Sequence, residues 1–447
     1  MRRKYLHINY LEFQPNTGIR FFKAIPTMIK LFLTLALLSV SNLVFSQKTI
    51  NEYYKEGLAA YEAKDYKLYL EAMEAIDELR PNYPVVVYNL AGAYALNGRK
   101  IRSIQRLNQL LLMDATYDFQ QNEDFKSIRR NKGYDELITL QAKLNRVEEH
   151  DEVFRTIDAG EIHPESFVIM DNGDILLGSV REKKIIRVDP EGSKIDLVKT
   201  EYSVLGMHVD PTNGLLWAAT AAMPEMLDYN PADKGKSLIM QIDPSSGVVI
   251  QGLEYDEGTI IGDLAIDKES RIWLSNSLEP TLGRDNTDTT DFTGAFIRKQ
   301  FDLSNGFFNL QGLALNEDEK FLYLADYITG IHRIDIETDD VVKVFAPEEI
   351  LLKGIDGLYY YKNTLIAIHN GVKPYRIMQY FLDDTGQHIL FGRVINQGGP
   401  SLGEPTLGQV KDGYFYYLAN SPWIAYDEGE LDLSKVKPIE IRRIKLN

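Results

Sequence analysis

Residues 309–345, NLQGLALNEDEKFLYLADYITGIHRIDIETDDVVKVF, hold four short runs of β-forming residues, each divided from the next by a turn. The run 312–315 is apolar, 316–320 is polar turn material, and 321–325 is a second run of strand formers. After the loop 326–330, residues 332–336 alternate polar and apolar, 337–340 make another turn, and 341–345 complete the set. Four short antiparallel strands with tight turns are one blade of a β-propeller.

The same pattern recurs five more times. Upstream lie ESFVIMDNGDILLGSV with KKIIRVDPEGSKIDLV from Glu165, GMHVDPTNGLLWAAT with SLIMQIDPSSGVVI from Gly206, and GDLAIDKESRIWLSNS with GAFIRKQFD from Gly262. Downstream lie DGLYYYKNTLIAIHNG with YRIMQYFLDDTGQHILFGRVI from Asp356, and PTLGQVKDGYFYYLANS with IEIRRIKLN from Pro405. The first strands open at Glu165, Leu205, Gly262, Gln311, Asp356 and Thr406, spaced 40, 57, 49, 45 and 50 residues apart, which is the repeat length of a four-stranded blade. An all-β six-bladed propeller over 152–447 is expected. Its last blade lacks a fourth strand, which EVFRTI (152–157) would supply, closing the ring without an open edge. Asp189, Asp243, Asp335 and either Asp383 or Asp384 each stand at a turn between third and fourth strands, where an aspartate bonds backbone amides.

From 50 to 144 the hydrophobic period changes from two to 3.6 residues, so a smaller all-α region precedes the propeller. Gly57, Ala60 and Lys64 with Asp65-Tyr66 are matched 34 residues later by Ala91, Tyr94 and Gly98. This resembles the tetratricopeptide repeat, whose small residues let two antiparallel helices pack closely. The segment 122–138 reads as a closing helix. Two repeats are fewer than such arrays need alone, so the helices are expected to lean on the propeller or on a partner protein; a plain spacer is the competing reading. The charged run NRVEEHD (145–151) is expected to link the two regions.

Ahead of the helices, basic residues lead through Met28-Ile-Lys30 into LFLTLALLSVSNLVF, a run too short to span a bilayer comfortably. Residues 1–46 are therefore expected to be a secretory signal, with Met28 the better start and cleavage after Ser46. The protein would be exported, periplasmic or extracellular, with no stable membrane insertion after cleavage. The segment carries six Lys/Arg against one Glu, so taking its +5 from the chain's −16 leaves −21. That charge disfavours nucleic acid and suits cations. With no cysteine, disulfides, thiolate metal sites and thiol nucleophiles are excluded.

In a propeller the opening residues of the inner strands converge on one mouth of the central channel. Glu165, Gln311 and Asp356 make a hard oxygen-donor set there, with Asp263 and Glu404 close by, of the kind that holds one divalent cation. On these residues the chain is similar to the senescence marker protein and gluconolactonase (regucalcin-like) family. That family consists of six-bladed propellers that bind one divalent cation and hydrolyse sugar lactones or related esters. The family's metal-binding glutamate matches Glu165 of Glu165-Ser-Phe-Val. Its asparagine matches Gln311 of Gln311-Gly-Leu-Ala, followed by Leu322-Tyr-Leu-Ala-Asp326, and its aspartate matches Asp356 of Asp356-Gly-Leu. The resemblance implies that Asp356 is both ligand and general base. Gln in place of Asn at 311, and Gly262 where the family often has another asparagine, are departures.

Asp263, His369, Asn370 and Thr406 are the expected substrate contacts, and His208 reads as a core or channel histidine. The long connections 221–236, 276–294 and 421–437 should overhang the mouth, presenting Tyr229, Phe292 and Trp423. Asp285, Asp288 and Asp291 miss the EF-hand spacing and read as a solvated loop. The expected ligand is a small molecule in the channel. The expected cofactor is one divalent cation, with Ca2+ favoured over Mg2+, Mn2+ or Zn2+. Two functions fit: an exported metal-dependent hydrolase of a sugar lactone or similar ester, or a non-catalytic binding protein using propeller and helices as docking surfaces.

Overall fold

The computed structural model describes residues 48–158, 160–255, 258–286, 306–427 and 429–446. The expected signal segment 1–46, Asp288, Asp291, Phe292 and GAFIRKQFD lie outside them. No described helix is long and apolar enough to cross a membrane.

Six antiparallel sheets form the propeller. Blade one is Pro164–Ile169, Ile175–Ser179, Lys184–Val188 and Lys194–Lys199; blade two is Ser203–Val209, Leu216–Ala221, Ser237–Ile242 and Val249–Tyr255. Blade three shows Ile261–Ile266, Arg271–Asn276 and Thr281–Asn286; blade four is Leu310–Leu315, Phe321–Asp326, Gly330–Asp335 and Val341–Lys343. Blade five is Ile355–Tyr361, Thr364–His369, Arg376–Leu382 and Ile389–Gln397. Blade six is Gly408–Lys411, Tyr414–Leu418 and Ile439–Lys445, and Glu152–Ile157 pairs with Ile439–Lys445 as its outer strand. The first propeller strand thus closes the last blade. Successive inner strands pack side by side, and that of blade six returns to that of blade one.

Strand alternation builds the core. In Phe321–Asp326, Leu322 and Leu324 enter the cluster shared with blade three, while Tyr323 and Ala325 enter the one shared with blade five. Each of the six gaps between blades holds such a cluster, so the middle strands are apolar on both faces. The aspartates at the outer turns cap them: Asp189 accepts from Ser193 N at 2.7 Å, Asp243 from Ser245 N at 2.9 Å, Asp335 from Glu337 N at 3.0 Å and Asp383 from Gln387 N at 3.1 Å.

Two expectations shift here. The third strand of blade three is Thr281–Asn286, paired along Arg271–Asn276, rather than GAFIRKQFD. The chain turns back after Asn276, whose Oδ1 accepts from Leu278 N at 3.1 Å, so no long connection is needed. The run 145–151 is also more than a linker, because Glu148–Glu149 pairs with Gln397 and Asn396 as a fifth strand on blade five.

Five helices precede the propeller among the described residues: α1 Ile50–Glu62, α2 Tyr66–Leu79, α3 Pro84–Leu96, α4 Lys100–Met113 and α5 Lys132–Leu144. Lys64 and Gly98, 34 positions apart, both take positive φ (60° and 73°) and turn the chain after α1 and α3. A Cβ on Gly57 would lie 3.2 Å from Ala72 Cβ, so α1 and α2 touch closely there. The closing helix runs 132–144 rather than 122–138, because Asn131 caps it by accepting from Gly133 N at 3.0 Å.

The helices are stitched to blade five. Lys373 N donates to Met113 O at 2.8 Å, Ala115 N to Lys373 O at 2.7 Å, and the buried Arg376 to Leu112 O at 2.7 Å.

Ring closure has its own latch. The Asp151 side chain, fully buried, accepts from Arg442 Nε at 2.9 Å and Nη2 at 3.2 Å, from Asn396 Nδ2 at 3.2 Å and from the Tyr417 hydroxyl. Truncating one partner of a buried pair leaves a charge without compensation. Asp151→Ala is expected to lower the unfolding free energy by about 3–5 kcal/mol in urea titration; a loss below about 1 kcal/mol, the surface-pair level, would show that the latch does not hold the ring.

Candidate functional site

The inner strands of blades one to five each carry one extra residue relative to their partner strand. The register shifts fall between Pro164 and Ser166, Val204 and Met207, Ile261 and Asp263, Leu310 and Leu313, and Ile355 and Leu358. A bulge frees its extra residue from the ladder and re-aims it. Here the bulged positions include Glu165, Leu205, Gly262, Gln311 and Asp356, and all five line one cavity of about 610 Å³ at the channel mouth.

Each polar group in the mouth is held by a neighbour. Trp423 Nε1 donates to Glu165 Oε2 at 2.7 Å, and Asn370 Nδ2 donates to Asp356 Oδ2 at 2.6 Å. Tyr327 Oη donates to Asn370 Oδ1 at 3.1 Å, fixing that amide's orientation. Gln311 Nε2 donates to Asn309 Oδ1 at 2.5 Å, and Asn309 Nδ2 donates to Ser277 O at 3.1 Å. This chain turns the Gln311 carbonyl oxygen toward blade three, 3.7 Å from where a Cβ on Gly262 would sit. Gln311 does not cross the channel to bond either carboxylate.

The floor of the cavity is acidic. Burial, and then the negative charge of Asp356, push the Glu165 carboxyl well above its ordinary range. Burial likewise raises Asp356, against the opposing bond from Asn370, and the charge of Glu404 adds to the rise. Asp263 is lifted to about 7 by burial, although it accepts from Leu264 N at 2.9 Å and Leu313 N at 3.3 Å. Burial raises Glu404 too, with Lys373 and the Tyr375 hydroxyl pulling the other way. Carboxyls crowded in a recess resist ionising together.

The mouth thus contains Glu165, Asp263, Gln311, Asp356 and Asn370. It does not contain His369. That side chain is buried on the far side of its strand, with Nδ1 at 2.9 Å from Lys353 O and Nε2 at 2.8 Å from Tyr380 Oη, so neither nitrogen is left for a substrate. Thr406 is also corrected: it is fully buried and donates to Glu165 O at 2.9 Å, supporting the glutamate's backbone. Tyr229 packs with Tyr202 and Met226 away from the mouth, and His208 lines a second cavity lower in the channel.

Sequence reasoning missed Asn309 and Tyr327, and it missed the roof. Arg80, Asn82, Tyr83 and Met113 of the helical region line the same cavity as Glu165 and Asp356, together with Lys353 of the propeller. The helices therefore cover part of the mouth. Nothing in the spacing of the repeats tells which end of the propeller they cover.

Among the described residues no three His, Cys, Asp or Glu side chains lie close enough together to hold a metal ion. A cation between Glu165 and Asp356 would need the Gln311 oxygen as its third donor, and the Asn309 bond leaves that oxygen available. The donor chemistry, two carboxylates and an amide oxygen, fits a hard divalent ion.

No family model matches the sequence, and no curated protein matches it. Among solved structures, the chain is similar to a gluconolactonase from Xanthomonas campestris, at 10% identity over 67% of this chain and 96% of that one, with a TM-score of 0.45. It is also similar to the PQQ-bound aldose sugar dehydrogenase of Streptomyces coelicolor, at 15% identity over 67% and 98% of the two chains, TM-score 0.45. A third is an inactive virginiamycin B lyase from Staphylococcus aureus, at 13% identity over 63% and 80%, TM-score 0.41. None reaches the similarity at which a reaction or a ligand carries across.

The raised carboxyls have a measurable consequence. In the unfolded chain Asp263 ionises near its ordinary value of about 3.9, whereas the folded chain holds its proton to about 7. The native state therefore binds more protons in that window, and the stability lost through Asp263 grows as pH rises from about 4 to about 7. His163 and His369, buried and held near 3, act with the opposite sign below their ordinary value, so the readout is a difference between variants. Asp263→Asn is expected to gain melting temperature relative to the parent between pH 5 and pH 8 in chelator-treated protein. A constant or shrinking difference would mean that Asp263 ionises normally.

Proposed function

We propose that the mouth is the site of a divalent-cation-dependent hydrolase of a sugar lactone or similar small ester, acting after export. The observation that carries this reading is the set Glu165, Gln311 and Asp356. These are three bulge residues of different blades, each oriented by its own hydrogen bond and lining one recess. When bound, the ion would polarise the ester carbonyl and acidify a water. Glu165 and the Gln311 oxygen supply donors. Asp356, held by Asn370, accepts the proton of the attacking water, and its raised pKa makes it a better base near neutrality than an exposed aspartate. Asp263, Asn370 and Glu404 offer the polar contacts for a hydroxylated substrate. A longer Gln in place of Asn favours Ca2+, which tolerates an irregular oxygen shell, over Mg2+, which does not.

A second reading, a non-catalytic binding protein, is favoured by one feature of the helical region. Tyr54, Tyr61, Tyr69, Tyr88 and Phe125 line a groove of about 240 Å³ around Asp124, whose carboxylate accepts from Tyr61 Oη at 3.0 Å. Aromatic rings around a carboxylate suit a cationic side chain of a partner protein.

Calorimetric titration with Ca2+, Mg2+, Mn2+ and Zn2+, followed by a panel of lactones, separates the two. Expected are cation binding and cation-dependent turnover, both abolished in Asp356→Ala. Gln311→Ala should weaken the ion about tenfold or more, as loss of one ligand to a charge does, with Gln311→Asn retaining it. Absence of both binding and turnover in the parent would leave the binding protein.

A further inference from the structure

The roof of the cavity differs in charge from its floor. Below lie the four carboxyls; above, two cationic side chains reach the same space, Arg80 from the end of α2 and Lys353 from the segment ahead of the inner strand of blade five. Neither forms an ion pair among the described residues. Arg80 lies over the Tyr83 ring at 4.0 Å, a contact that leaves its guanidinium edge open. Lys353 is half-buried, and its Nζ donates to the neutral Asn82 Oδ1 at 2.6 Å. Asp77, whose charge acts on Lys353, is itself paired with Arg106 at 2.8 Å. Burial without a counter-ion pulls Lys353 down to about 8.

The arrangement is held in place. Asn82 takes positive φ (60°), accepts from Lys353 and from Gln109 Nε2 at 2.7 Å, and donates to Ile328 O at 3.4 Å. One residue of the helical region thus ties α4, blade four and the lysine together, beside Arg80. A half-buried ammonium with only an amide oxygen for company is costly unless something anionic completes its surroundings.

We propose that Arg80 and Lys353 form a recognition subsite for the anionic group of the ligand, a carboxylate or a phosphate, while its hydroxylated body extends down to Asp356 and Asn370. This rests on the mouth being the ligand site, and it makes the substrate an acidic sugar derivative or similar hydroxylated anion rather than a neutral sugar. The helical region then sets specificity. A ligand entering the wrong way round would place its anion among the floor carboxyls, so the two charged layers also orient it.

Calorimetric titration of the full chain, without added metal, with gluconate, inorganic phosphate and glucose tests the subsite. Gluconate or phosphate is expected to bind about tenfold or more tightly than glucose, and the better of the two identifies the anion. Arg80→Ala and Lys353→Gln should each weaken the anion about tenfold and leave glucose unchanged, the size of a lost charge-assisted bond. Equal affinity for all three, no binding of either anion at millimolar concentration, or a loss that falls equally on glucose overturns the proposal. If Lys353→Gln does not fold, Arg80→Ala, on an exposed side chain, decides alone. The two readings fail separately. Cation binding and lactone turnover without anion preference overturn the subsite, whereas anion preference lost in Arg80→Ala, with no cation bound by the parent, overturns the hydrolase and leaves the subsite standing.

Discussion

The inner strands of this propeller must lie almost against one another, and much of what the mouth contains follows from that contact. A Cβ on Gly312 would sit 2.4 Å from Leu358 N, and one on Gly206 would sit 2.9 Å from Gly262 O. Only glycine fits at such points. Five inner strands, these two among them, also take an extra residue, and the bulge turns that residue into the channel. Tight packing and the polar site are two results of one backbone device. This is why residues as distant in sequence as Glu165, Gln311 and Asp356 occupy the same place in their repeats.

The repeat was legible because period-two apolar runs between turn residues are a strong signal, and five blades were read with their strands in order. Blade three misled because TLGRDN has few strand formers and contains Gly, Asp and Asn, which read as loop, whereas GAFIRKQFD looks like a strand. Packing against Arg271–Asn276 overrides that local preference. Within the site, strand openings found Glu165, Gln311 and Asp356 but misplaced His369 and Thr406. Alternation says that neighbours point to opposite faces without saying which face is the channel, and a bulge upstream reverses the parity. His369 went to Tyr380 and Asn370 went to Asp356. The roof was not legible, since contacts such as Lys353 with Asn82 join segments with no shared period.

The mouth is a place where stability is given up. Four carboxyls whose ionisation is opposed by burial share a recess, while outside it aspartates such as Asp243 and Asp383 are held near 2 by their turns. The same residue type is thus used in opposite ways: at the rim of four blades it steadies the fold, and at the axis it stores unfavourable charge.

The latch around Asp151 bears on the order in which the molecule can assemble. Its partner Arg442 lies 291 residues further along the chain, and the strand that follows Asp151 stays an unpaired edge until Ile439–Lys445 arrives. Made from the amino end, the helices are therefore complete long before the surface they cover exists. Blade five, which receives α4 through Lys373, comes before the ring is shut. The growing chain must hold an exposed strand edge and helices without the mouth beneath them through the synthesis of five blades, which makes the late, long-range pairing of first strand with last the slow and vulnerable moment of its life.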